Sequence, residues 1–297
     1  MSSGLFTIVV PAHNEEAVIE RSLRTLCSQV TTCVLDIMVV CNGCSDRTAE
    51  IVRSHAAADP RIRLVEIAQG SKPAAIRAAF AAITASSAFV AVVDADVVLS
   101  TDAIEGLATA LEGPRPLIAA PHIDVNLTGC SRAVRRYYAV WLSQPYITAG
   151  VIGAGVFAVN FAGLERITAL PDTMADDTWA RAQFARADRV TSAGTFTVFP
   201  PRTLRPHLRR RARIVIGTRQ VAAMRKAAAG RWPDPHLAPT TTTAAVPKSR
   251  LARATSADQL TYWAIQKSAD LLATWRIMRG RTGWVTDVTS RVSEPTP

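Results

Sequence analysis

Apolar runs of strand length alternate with amphipathic stretches of helix length through the first 115 residues of the chain. The apolar runs predict strands at 5–10, 34–40, 61–67 and 89–93. The periodic stretches between them predict helices at 15–26, at 73–84 and after Ser45 or Asp46 as the N-cap. Because strands and helices at this spacing form βαβ units, we expect an α/β fold with a mostly parallel central sheet and flanking helices.

Polar clusters follow three of these strands at the point where each strand ends. Residues 11–16 (PAHNEE) follow the first strand, 42–46 (NGCSD) the second and 94–96 (DAD) the fourth. Two basic residues, Lys72 and Arg77, lie at the start of the third predicted helix. Ligands of parallel sheets bind beyond the carboxyl ends of the strands. We therefore expect one binding site along this edge of the sheet.

Two of these clusters contain short motifs with more than one interpretation. Asp94 and Asp96 can face one Mg²⁺ or Mn²⁺ ion, since both ions prefer oxygen ligands, although a carboxylate at a strand end also caps turns. Cys41 and Cys44 have the spacing of a redox pair. The Asn-Gly dipeptide between them favours a tight turn, so we favour a turn over a redox or zinc site.

The excess of basic residues is confined to one segment. The chain carries 34 basic and 24 acidic residues, a formal charge of +10, and residues 189–233 hold eleven of the basic ones and none of the acidic ones. A predicted helix at 204–229 within this segment is open to three interpretations: a solvated face, a surface for anionic lipid or phosphate, and a nucleic-acid surface. We disfavour nucleic acid because aromatic residues are not interleaved with the charges.

The second half of the chain is less regular. Residues 137–164 contain no charged side chain, but their glycines indicate a buried part of a water-soluble fold instead of a lipid-facing helix. A Pro/Thr/Ala-rich stretch at 234–257 is typical of a flexible linker. Residues 258–279 predict an amphipathic C-terminal helix, whose apolar face would comprise Leu260, Trp263, Ala264, Leu271, Trp275 and Met278.

Cysteine usage and the N-terminal residues bear on the cellular compartment. Five cysteines, an odd and small number, do not resemble the disulfide framework of a secreted protein. The first residues lack the basic region of a signal peptide. We expect a cytoplasmic protein, with peripheral contact to the inner face of a membrane if the basic segment binds lipid.

Taken together and in this order, the motifs resemble those of the family 2 glycosyltransferases over about residues 5–220. The resemblance implies the Rossmann-like GT-A fold with a C-terminal helical extension, and an inverting transfer reaction. It implies a domain at 1–233 with a nucleotide-sugar-binding half at 1–115 and an acceptor half at 116–233. The linker at 234–257 and a helix and tail at 258–297 would follow.

The resemblance assigns the donor side of the site to the strand ends. His13 stands where the family usually has tyrosine. Asn42 stands where the family often has an aspartate that binds the edge of the nucleobase. The metal, Mg²⁺ or Mn²⁺, would bind Asp96 directly with Asp94 beside it. The donor-binding residues implied for this chain are Pro11, Ala12, His13, Asn14, Glu15, Asn42, Lys72, Arg77, Asp94, Arg210 and Arg213.

The acceptor side is assigned to later residues. Asp177 would be the general base that deprotonates the acceptor hydroxyl, and Ile214 stands where the family has a tryptophan. The residues implied to bind the sugar and the acceptor are Gly153, Ala154, Gly155 and Asp176.

We therefore expect a metal-assisted single displacement that moves a sugar from a nucleoside-diphosphate sugar to an acceptor hydroxyl on a lipid-linked molecule, a polysaccharide or a natural product. Two alternatives stay open. A nucleotidyltransferase of similar fold would carry a glycine-rich basic loop near its N-terminus, which PAHNEE is not. A catalytically silent nucleotide-sugar-binding protein would not need both Asp96 and Asp177.

Overall fold

A computed structural model describes residues 4–84, 86–148, 152–228 and 254–280. The strands are β1 (Leu5–Ala12), β2 (Val34–Asn42), β3 (Ile62–Ile67), β4 (Ser87–Val93), β5 (Val98–Leu99), β6 (Ile118–Val125), β7 (Val156–Asn160) and β8 (Arg189–Val198). The helices are α1 (Ile19–Cys27), α2 (Thr48–Ala58), α3 (Lys72–Ala82), α4 (Ala103–Ala110), α5 (Arg132–Trp141), α6 (Pro145–Thr148), α7 (Phe161–Leu164), α8 (Asp176–Ala182), α9 (Leu204–Ala227) and α10 (Ser256–Met278).

The described strands form one eight-stranded sheet in the order β3-β2-β1-β4-β7-β6-β8-β5. The first four strands are parallel, as their pattern predicts, so β1, β2 and β4 end at the same edge of the sheet. β7 is antiparallel to both β4 and β6, and β5 is antiparallel to β8. β6 and β8 pair in parallel, so the sheet is mixed, with four parallel strands from the first part of the chain on one side.

Two helices begin later than their sequence patterns predict. Helix α1 begins at Ile19 instead of residue 15, because side chains of the second loop hold residues 15 and 16 in a turn: Thr48 Oγ1 accepts from the Glu15 N–H (2.7 Å) and Asp46 Oδ2 from the Glu16 N–H (3.1 Å). Helix α2 begins at Thr48. Asp46 does not occupy its N-cap position but accepts from the Thr48 N–H at 3.0 Å.

Helix α10 packs into the body of the domain, beside α5 and α9. Its inner face is formed by Tyr262, Ile265, Ala269 and Ala273, and the ring of Tyr262 stacks on that of Tyr137 with centroids 5.1 Å apart. Most of the linker predicted at 234–257 lies outside the described residues, and its last two residues already belong to α10.

The large side chains of the predicted apolar face of α10 are exposed. The opposite face makes the contacts with α5 and α9, through Tyr262 and Ile265 in its first half and through Ala269 and Ala273 farther on, where alanines allow the helices to approach closely. The sequence pattern thus correctly predicts an amphipathic helix, and the structure places its large apolar side chains on the exposed face.

Candidate active site

A cavity of about 830 Å³ opens at the edge where β1, β2 and β4 end. Loops after these strands form one wall, α8 the floor, and α9 and α10 the opposite wall. Thirteen of the seventeen residues proposed from the sequence line this cavity: Pro11, His13, Glu15, Asn42, Lys72, Asp94, Asp96, Ala154, Gly155, Asp176, Asp177, Arg210 and Arg213.

The ends of β1 and β2 are joined by side-chain hydrogen bonds. His13 Nδ1 donates to the Asn42 carbonyl oxygen at 2.5 Å, so this nitrogen carries the ring proton. Asn42 is buried, and its side-chain Nδ2 donates to the Ala12 carbonyl oxygen at 2.8 Å. The loop that the sequence assigns to the nucleotide is therefore fixed before any ligand binds, with the amide nitrogen of Asn42 committed to the protein backbone.

A buried lysine links the two acidic motifs. Lys72 Nζ lies 2.6 Å from Asp94 Oδ1 and 3.0 Å from Asp176 Oδ2. Burial lowers the pKa of Lys72, but the carboxylates of Asp176 and Asp94 outweigh burial and raise that pKa above its ordinary value. The ammonium of Lys72, one of the residues implied to bind the donor, thus has two protein carboxylates as partners.

The same cluster holds more carboxylates than cations. Burial raises the pKa of Asp176 to about 6, with Asp177 and Asp94 adding to the rise and Lys72 opposing it. Burial likewise raises the pKa of Asp94, and the nearby Asp96 adds to it. Lys72 therefore faces three carboxylates, those of Asp94, Asp176 and Asp177, with Asp96 next to Asp94, and an added cation would relieve the repulsion among them.

A tight loop orients the carboxylate of Asp177. The Ala154 N–H donates to Asp177 Oδ2 at 2.7 Å, and the Thr178 N–H donates to Oδ1 at 2.6 Å. Gly153 has a φ of +112° and a Cβ there would lie 2.7 Å from Asp177 Oδ2, so only glycine fits. Gly155, also left-handed, lies against Asp94 on the other side. The Gly153–Gly155 loop thus holds the carboxylate of Asp177, the candidate base, beside the carboxylates of Asp94 and Asp96.

The opposite wall of the cavity is basic. Gly217 lets α9 approach the backbone at Met174 and Ala175, because a Cβ at this position would lie 2.9 Å from the Ala175 side chain. Arg211 Nη2 donates to Gln266 Oε1 of α10 at 3.0 Å. The arginines that this packing brings to the cavity are Arg209, Arg210, Arg211, Arg213 and Arg276.

One arginine of the basic segment has a structural role instead. Arg189 is 1% exposed, and its guanidinium donates twice to the Phe184 carbonyl oxygen. The basic residues of 189–233 therefore do not form a single surface, because the first of them, Arg189, lies in the core.

Four of the proposed residues do not line the cavity. Arg77 donates to the Leu170 carbonyl oxygen and to Asp172 Oδ1, both at 2.9 Å, so it holds the loop that borders the cavity instead of reaching into it. Ala12, Asn14 and Gly153 shape the backbone behind the lining. Asn14 has a φ of +54°, and its Oδ1 accepts from the Ser45 N–H.

Sequence reasoning missed several lining residues. Arg181 lies one helical turn after Asp177 and donates to the Ile152 carbonyl oxygen at 3.4 Å, while its Nε has no hydrogen-bond partner among the described residues. The i, i+4 spacing to Asp177 was a usable signal for it. Arg276 and Trp141 come from α10 and α5, and no local pattern indicates that these helices border the cavity.

Comparison with known proteins agrees with this architecture. The model of the family described as Glycosyl transferase family 2 matches residues 7–159, just over half of the chain. The chain belongs to glycosyl transferase family 2. The matched region contains the strand-end motifs but ends before Asp176 and Asp177.

The curated relatives cover a small part of this chain. Validoxylamine A glucosyltransferase of Streptomyces hygroscopicus subsp. limoneus is 29% identical over 116 residues, which are 38% of this chain and 25% of that protein. The match thus spans about a quarter of the length of the relative.

One solved structure with a TM-score above 0.5 shows the same fold. A mannosyltransferase from Pyrobaculum calidifontis, solved with GDP-Man and Mn²⁺, is similar over 93% of this chain and 82% of its own, with a TM-score of 0.60 at 20% identity. Glucosyl-3-phosphoglycerate synthase from Mycobacterium tuberculosis, solved with Mg²⁺ and UDP, matches 66% of this chain and 70% of its own at 20% identity and a TM-score of 0.46. The mannosyltransferase similarity establishes the GT-A fold.

Proposed function

We propose that this glycosyltransferase moves a sugar from a nucleoside-diphosphate sugar to an acceptor hydroxyl by a single, inverting displacement that a divalent metal assists. The observation that carries the proposal is the position of Asp177. Its carboxylate is fixed by the Ala154 and Thr178 N–H groups in the same cavity as Asp94 and Asp96. A fixed carboxylate near the donor is what a general base requires.

The donor would lie along the strand ends. Pro11, His13, Glu15 and Asn42 would enclose the nucleoside, and Arg210 and Arg213 of the facing wall would bind the diphosphate through charge-assisted hydrogen bonds. These two walls carry opposite charge, so a ligand between them is held from both sides.

The acidic cluster fits a divalent metal. Three carboxylates face Lys72 there and Asp96 adds a fourth beside Asp94, while among the described residues no group of three or more His, Cys, Asp or Glu side chains is arranged to hold a metal by itself. Asp96 and Asp94 would hold Mg²⁺ or Mn²⁺, with donor phosphate oxygens and water completing the coordination. The bound metal would neutralise the negative charge that develops on the leaving diphosphate.

The acceptor would enter over Gly153–Gly155 and Asp176, next to Asp177. Asp177 accepts the hydroxyl proton as the acceptor oxygen forms its bond to the anomeric carbon, and the bond to the diphosphate breaks with its electron pair on the departing oxygen. We expect a hydroxyl on a lipid-linked molecule, a polysaccharide or a natural product. A cytoplasmic location agrees with the five free thiols of the chain.

Replacing the base tests the proposal directly. Asp177→Asn is expected to keep nucleoside-diphosphate binding, followed by thermal shift with Mn²⁺, and to lower transfer by about 10²–10⁴-fold. Asp172→Asn is the matched control: Asp172 also lines the cavity, but its carboxylate pairs with Arg77. Full transfer by Asp177→Asn, or an equal loss in the control, would refute the assignment.

A further inference from the structure

The outward face of α10 carries a continuous apolar stripe. Large apolar side chains are normally buried, or are exposed singly and not side by side. The five members of the stripe are between 43% and 74% exposed: Leu260, Trp263, Leu271, Trp275 and Met278. At about 100° per residue all five lie within an arc of about 120°, opposite the face that packs on α5 and α9. The stripe is therefore a surface of its own and not the edge of the core.

The charges around the stripe have one sign. Within the same arc of α10, between Leu260 and Met278, lie Ala264, Lys267 and Thr274 and no acidic residue. Asp270, at the border of the arc, pairs with Arg219 of α9 at 3.4 Å. The neighbouring helix α9 contains eight basic and no acidic residues, of which four are exposed: Arg205, Arg209, Arg219 and Lys226.

We propose that the outward face of α10 docks into the surface of an anionic lipid bilayer, with Arg205, Arg219 and Lys226 of α9, which do not line the cavity, against the headgroups. An apolar arc with tryptophans and a basic flank is the arrangement of a helix that lies in the membrane interface. Lys267, in the middle of the arc, has a long apolar stem that lets its ammonium reach the headgroups while the stem stays in the apolar layer.

Other occupants suit this surface less well. A second copy of the chain would bring two strongly basic helix pairs together, and their like charges would repel. A helix that crosses the bilayer is not found among the described residues. A polyanion alone would contact the arginines but leave the apolar stripe in water.

Paired leucine substitutions test the proposal. Leu260→Ser combined with Leu271→Ser removes two stripe residues that are each 73% exposed, and Val30→Ser is a matched control with the same exposure on a loop before β2. Binding is measured by co-sedimentation with phosphatidylcholine vesicles that contain roughly one third phosphatidylglycerol, and with pure phosphatidylcholine vesicles. The thermal unfolding midpoint checks that both variants fold, since exposed leucines contribute little to the core.

The wild-type chain and Val30→Ser are expected to bind the anionic vesicles, more weakly in about 0.5 M than in about 0.1 M salt. The double variant is expected to bind about a hundredfold more weakly, roughly tenfold for each leucine. Tryptophan emission should shift to shorter wavelength when vesicles are added, and shift less in Trp263→Phe.

Three results would overturn the proposal: no vesicle binding by the wild-type chain, equal binding by the double variant, or a wild-type dimer that the double variant converts to monomer. Nucleoside-diphosphate binding is measured in parallel without vesicles. The stripe residues do not line the cavity, so loss of vesicle binding with intact nucleotide binding separates this surface from the transferase site.

Discussion

The two walls of the cavity carry opposite charge and are built in different ways. The acidic wall follows β1, β2 and β4 and continues at the start of α8, where backbone N–H groups and Lys72 fix the carboxylates. The basic wall consists of one face of α9 and Arg276 of α10, and it depends on helices that pack through small residues. A metal with a diphosphate has the complementary charge pattern, cation toward one wall and anion toward the other.

Because the two walls are built differently, single substitutions on each wall should have effects of different size. The acidic wall holds single carboxylates in fixed positions, so we expect individual substitutions there to have large effects. The basic wall presents several arginines to the same region of the cavity, so we expect the loss of one to be partly compensated by its neighbours.

The largest effect is expected at the proposed metal ligand on the acidic wall. Asp96→Asn removes a charged oxygen from the pair that would hold the metal, so transfer should fall by about 10³-fold. The Mn²⁺-dependent part of the thermal shift with nucleoside diphosphate should disappear as well. Asp102→Asn, an exposed aspartate outside the cavity lining, serves as the control. Full metal-dependent activity in Asp96→Asn would show that Asp96 is not a ligand of the metal.

A medium effect is expected for the pH dependence of stability. The pKa of Asp176 is raised to about 6 from 3.8, so its contribution to stability is complete below the ordinary pKa and is lost as pH rises through about 6. In chelator, the wild-type chain should therefore lose stability relative to Asp176→Asn between about pH 4 and pH 7.5, by on the order of 3 kcal/mol. Urea unfolding of both proteins across this range measures the difference. A constant difference would show that Asp176 does not titrate above its ordinary pKa.

The acidic wall was largely predictable from the sequence, because its residues follow strands whose periodicity is local. Asp94, Asp96 and His13 lie where the motif spacing indicates. The role of Lys72 was not predictable in the same way: its partner Asp176 is distant in the chain, and only the fold brings the two together. The predicted start of α1 is wrong for a similar reason, since Thr48 and Asp46 of another loop fix residues 15 and 16 in a turn.

The basic wall was less predictable. A helical pattern gives the length of α9 to within two residues. The charge excess of residues 189–233, however, does not tell a core arginine such as Arg189 on β8 from an arginine that lines the cavity. Periodicity locates an apolar stripe on α10 but does not tell whether the stripe faces protein or solvent. Close packing at Gly217 and Ala273 decides which faces meet, and this information is spread over several elements.

The smallest effect is expected on the basic wall. Arg213→Met removes one of several arginines around the proposed diphosphate site, so nucleoside-diphosphate affinity should fall by about tenfold and depend less on salt. Arg205→Met is the matched control, since Arg205 lies on the same helix but does not line the cavity. Titration calorimetry at two salt concentrations measures both changes. If Arg213→Met lost as much binding as Asp96→Asn loses activity, the basic wall would act through a single fixed residue, and the proposed difference between the walls would be wrong.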